Sequence, residues 1–134
     1  MFMIKRFTII RIRKIPSQDV NQELQWLGNA LGLFNLRDKE SSCFRVFITL
    51  VKRAKNNEPI SSDGIAEKLD LSRSTVLHHL NRLVDAGIVV REKGGFALRE
   101  ANLSQVVKNI HQDVETTFSE LQKIADEIDK KLGY

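Results

Sequence analysis

The stretch SRSTVLHHLNRLVDAG, residues 72–87, decides how the rest of the chain is read. Ser72 is placed to cap a helix, because a serine oxygen can accept one of the amide hydrogens left unpaired in a first helical turn. At about 100° per residue Val76, Leu80 and Leu83 point together, with Val84 beside them, so this face is expected to pack inward. The opposite face carries Ser74, His78, Asn81, Arg82 and Asp85. Gly87 can take the left-handed conformation that ends a helix. Such a helix is apolar on one side and carries short polar groups on the other, a surface that can approach another molecule closely.

The neighbouring segments extend this reading in both directions. Upstream, Ile60 leads into SSDGIAEKLDL, a short helix capped by Ser61 or Ser62 and ending near Asp70. Before the loop KNNEP, the run CFRVFITLVKRA sets Phe44, Phe47, Ile48, Leu50 and Val51 at helical spacing. Lys52, Arg53 and Lys55 follow near its C-terminus, where cations suit the helix dipole. Downstream, IVVREKGGFALRE predicts a hairpin, with one strand over Ile88 to Lys93, a turn at Gly94 and Gly95, and a return over Phe96 to Arg99.

Both ends of the chain carry further elements. Residues 2–15 are dense in Phe and Ile with bases interleaved, a β-type composition. Phe7 and Ile9 share one face and Ile10 and Ile12 the other, so the alternation slips near Ile9, as at a bulge or a strand buried on both sides. Pro16 closes this N-terminal β-strand, and Ser17 can cap a helix over 17–32 whose apolar positions are Val20, Leu24, Leu27 and Leu31. From Asn102 to Leu132 there is no Pro or Gly, and Val107, Ile110, Val114, Leu121, Ile124 and Ile128 recur at spacings of three and four, with Thr117 in the place between Val114 and Leu121. One small domain cannot cover that seam along a helix of roughly 45 Å. A homodimer is therefore expected, the alternative being that the helix folds back on the one at 17–32. The N-terminal strand is expected to pair with a neighbour, most simply its copy across the dimer axis. The expected fold is mainly α with a small β component. It divides into residues 1–37 (strand plus helix), 38–101, and the C-terminal helix 102–134.

Core helix, short helix, tight turn, second helix and Gly-turned hairpin follow one another in the order of a winged helix-turn-helix over residues 38–101. Within it ISSDGIAEKLDLSRSTVLHHLNRLVDAGIV resembles the ArsR-type repressors and their archaeal relatives, which share Ser-Thr-Val, then His-Leu, then Leu, then Ala-Gly and a branched apolar residue. The resemblance implies a transcriptional regulator that lays the helix at 73–86 in the major groove of duplex DNA, with Arg73, Ser74, Thr75 and His78 as base or phosphate contacts. Arg82 and the wing residues Arg91 and Lys93 would add phosphate contacts. His79, at the edge of the apolar face, is expected to make a structural hydrogen bond. Metal sensing does not carry over. There is one cysteine, Cys43, and His78, His79 and His111 lack a ligating spacing with acids. No metal or other cofactor is expected.

Composition bounds the function further. The 134 residues carry 21 Lys and Arg against 17 Asp and Glu, a net +4 that suits a polyanionic partner. That charge is uneven: residues 1–60 are +6, residues 61–101 neutral and residues 102–134 −2. Lys5, Arg6, Arg11, Arg13 and Lys14, unopposed by any acid, make the N-terminal strand the most basic piece. Those bases either guard an edge strand against aggregation or touch nucleic acid. A second reading follows, an RNA-binding or ribosome-bound dimeric factor that uses the basic strand and the winged helix as docking surfaces on ribosomal RNA. Catalysis is not expected, since no Gly-rich phosphate loop, nucleophile elbow or carboxylate and His constellation can be assembled. Cys43, between apolar neighbours, is expected to be a small buried hydrophobe. No run reaches membrane-spanning length and no cleavage site follows the apolar start, so a cytoplasmic protein is expected.

Overall fold

The computed structural model describes residues 6–13, 19–34 and 41–134. Its elements are α1 (Val20–Ala30), α2 (Ser42–Ala54), α3 (Ser62–Leu69), α4 (Arg73–Asp85), β1 (Val89–Glu92), β2 (Gly95–Leu98) and α5 (Leu103–Leu132). Side-chain caps fix most of the helix starts. Ser61 Oγ accepts the Gly64 N–H at 3.0 Å, Ser72 Oγ that of Thr75 at 3.1 Å, and Asn102 Oδ1 that of Gln105 at 2.8 Å. For α1 the cap is Asp19, which accepts from Asn21 N–H at 2.9 Å, while Ser17 lies outside the described residues.

One core joins these elements. Val46, Phe47 and Leu50 from α2, Ile65 from α3, and Val76, Leu80 and Leu83 from α4 are fully buried, together with Ile88, Val89 and Val106. Leu24 and Leu33 close one side. Cys43 is completely buried and its thiol donates to the Leu33 carbonyl at 3.2 Å, so it behaves as a small core residue.

The hairpin is antiparallel, pairing Val89 with Leu98 and Glu92 with Gly95, so the turn falls at Lys93 and Gly94, one residue earlier than the sequence indicates. Ile60 adds a third, one-residue rung by exchanging backbone bonds with Phe96 at 2.9 and 2.8 Å. Gly95 makes this rung possible. Its φ is +137°, and a Cβ there would stand 2.2 Å from the Ile60 carbonyl oxygen.

Two expectations change. The described residues 6–13 form no strand, and they lie against the end of α1, where Ile10 N–H donates to the Ala30 carbonyl at 2.7 Å. A strand forms only by pairing, and among the described residues this segment pairs with neither β1 nor β2. Residues 2–5 and 14–15 of the expected strand lie outside the described residues.

The second change concerns α5. Its core contacts are Val106, 1% exposed, and Ile110, 7% exposed, with Leu103 and Val114 packed alongside, whereas Val107 is 41% exposed. The anchoring stripe is thus shifted by one residue at its start. Further along, Phe118 stands out into solvent at 64% exposure, and Thr117 donates its hydroxyl to the Asp113 carbonyl. Leu121, Ile124 and Ile128 are exposed as well, so the stripe does not fold back on α1 within one chain.

Candidate nucleic-acid interface

The outward surface of α4 is built by what holds its inner face. Val76, Leu80 and Leu83 fix the helix on α2 and α3, and the buried His79 ties it to the start of α2 through a 2.6 Å contact between Nε2 and Ser42 Oγ. This is the structural hydrogen bond the sequence leads one to expect at that position. The α3–α4 turn is set by Asp70 in the left-handed region, φ 54°, and by Leu71 N–H donating to the Ala66 carbonyl.

On the outer side the first turn of α4 collects hydroxyls. Ser72 Oγ lies 2.7 Å from Thr75 Oγ1 and 3.3 Å from Ser74 Oγ. Ser74 and His78 are exposed and Thr75 is half-buried. Arg73 pairs with Asp63 of α3 at 3.3 Å, both side chains about 70% exposed, so the pair is screened and easily exchanged for another anion. Asn81, on the same face, accepts from the Arg91 guanidinium at 2.7 Å, and that guanidinium lies 5.8 Å from the Phe96 ring centre. Arg91 therefore spans from the hairpin to α4. Lys93 is exposed in the turn.

The remaining sequence candidates lie elsewhere. Arg82 stands on the flank of α4, half-buried, and donates to the Gly32 carbonyl at 3.4 Å. It shares with Arg6, Thr8 and Asp85 a cleft of about 390 Å3 beside the end of α1. Arg11 and Arg13 are exposed, and Lys5 and Lys14 lie outside the described residues. So Arg73, Ser74 and Thr75 share the first turn of α4 with His78 one turn on, Arg91 reaches α4 through Asn81, and Arg6 and Arg82 line a separate cleft. Sequence reasoning did not give Asn81 and Asp63 a role. Asn81 was open to discovery, since it follows His78 by three residues on a helix. Asp63 was not, because its pairing depends on the angle between α3 and α4.

Among the described residues no cluster of three His, Cys, Asp or Glu side chains could hold a metal ion. Among the same residues no helix is long and apolar enough to cross a membrane. Residues 41–92, from the residue before α2 to the last of β1, match the family model of a helix-turn-helix domain. This stretch is similar to a helix-turn-helix domain, and the match does not single out the ArsR type. No curated protein and no solved structure matches the chain.

Proposed function

We propose that the protein is a non-catalytic, dimeric winged-helix regulator that binds duplex DNA, of the ArsR-like kind. The observation that carries this reading is the joining of α4 to the hairpin through Asn81 and Arg91, which sets the wing beside the helix face that also carries Ser74 and His78. In this reading α4 enters a major groove, its first-turn hydroxyls and His78 reach base edges, and Arg91 and Lys93 on the wing grip phosphates. Arg82 contributes chiefly to the cleft behind α4. The dimer is supported by α5, whose Phe118, Leu121, Ile124, Ile128 and Leu132 are each at least half exposed in one chain.

The exposed bases Arg6, Arg11 and Arg13 favour a second reading, in which structured RNA such as the ribosome is the partner and the N-terminal segment is the docking surface. Binding measured against both nucleic acids across a salt series separates the two. For a DNA regulator, Ser74→Ala with His78→Ala changes which duplex is preferred, and Arg11→Glu with Arg13→Glu has the smaller effect. The reverse ordering, with RNA bound more tightly than any duplex, would establish the second reading.

A further inference from the structure

From the face that α5 uses, and resting on the dimer reading above, we infer that two copies pair their C-terminal helices antiparallel, with the helix-turn-helix domains at opposite ends of the pair. The buried residues Val106 and Ile110 and the exposed residues Leu121 and Ile128 lie on one side of α5. Taken from Ile110, Leu121 and Ile128 fall within about 20° of it at 3.6 residues per turn. The domain and the exposed stripe therefore occupy the same face of the helix, the domain covering its first turns and the stripe continuing beyond.

That coincidence decides the orientation. In a parallel pair, both domains would lie at the same level and both on the inner side, where packed helix axes are only about 8–10 Å apart. A domain of this size is roughly 25–30 Å across. The two would collide, or the helices would splay and give up the seam. An antiparallel pair puts each domain beyond the tip of the other copy's helix, and leaves residues from about 115 onward to pack together.

The occupant is a second copy of this chain, because of the area the stripe offers. The five stripe residues are 50–66% exposed. At roughly 100 Å2 each they offer about 500 Å2 per copy, and about 1,000 Å2 for two copies meets the lower bound of a biological interface. A register centred on Ala125, midway between Phe118 and Leu132, brings each of these two residues opposite the other in the second copy.

Spin labels test this in the full-length protein, with the buried Cys43 replaced by Ala and one exposed site changed at a time: Thr116→Cys, Lys123→Cys or Lys130→Cys. All three sites lie on the side of α5 turned away from the stripe, at intervals of one heptad. The antiparallel pair predicts axial separations of about 27, 6 and 15 Å, so the distance is shortest at position 123 and longest at 116. Equal distances at the three positions would establish a parallel pair and overturn the inference. Light scattering that reports a dimer while no site gives a distance below about 50 Å would place the contact elsewhere and overturn it as well. A monomer by light scattering would refute the dimer reading on which it rests.

Discussion

Replacing Gly95 by Ala isolates the rung that ties the wing to the segment before α3. The added Cβ would lie 2.2 Å from the Ile60 carbonyl oxygen and 2.6 Å from Ser61 N, so backbone rather than a flexible side chain has to move. Moving it breaks the two bonds between Ile60 and Phe96, at 2.9 and 2.8 Å, each with a net worth of about 1 kcal/mol. The residue's φ of +137° adds about 1–3 kcal/mol of strain for any side chain. The total is about 3–5 kcal/mol, a large part of the 5–15 kcal/mol that typically holds a domain folded. Gly94→Ala is the control. It also has a positive φ, +97°, but its Cβ would meet nothing closer than Pro59 at 3.9 Å, so only the strain applies. Urea unfolding followed by circular dichroism should give a midpoint for Gly95→Ala well below that of Gly94→Ala, with similar slopes. Equal midpoints would refute the reasoning, because the close approach of Ile60 would then cost nothing.

Three further outcomes follow from the same structure. Val106→Ala should cost about 1–3 kcal/mol in urea unfolding, while Val107→Ala, next to it on the exposed side, should change stability by less than about 0.5 kcal/mol. Leu121→Asp with Ile124→Asp should convert a dimer to a monomer by light scattering and leave the circular dichroism of the domain intact, since neither residue reaches the core; an undisturbed dimer would rule out this face. Arg91→Ala should weaken duplex binding for all sequences alike and lower the salt slope by about one unit, whereas His78→Ala should relax the preference among sequences.

Much of the fold was legible because its signals are local. The caps Ser61 and Ser72, the buried stripe Val76, Leu80 and Leu83, and the glycines of the hairpin all act within a few residues of themselves. What escaped the sequence depends on relations between elements. Ile60 pairs with Phe96 through a single rung, too short to leave an alternating pattern. On α5 a heptad seam starting at Val107 and an anchoring stripe starting at Val106 are one residue apart, and only the position of the domain decides between them. Phe118 was passed over because Thr117 also satisfied the spacing, although the series Val114, Phe118, Leu121 keeps intervals of four and three. At the candidate interface the outward placement of Ser74 and His78 was open to a helical wheel. The turning of Arg82 toward Gly32 was not, since it depends on where the end of α1 lies.

The central claim is that α4 and the wing of a twofold dimer read duplex DNA, and selection from a random duplex library by the intact protein tests it most directly. The account predicts that the selected duplexes converge on an inverted repeat with half-sites about 34 Å, or one helical turn, apart. It also predicts that the same selection with Ser74→Ala and His78→Ala yields a weaker or altered repeat. A pool that stays random while the protein retains tight binding to structured RNA would contradict it.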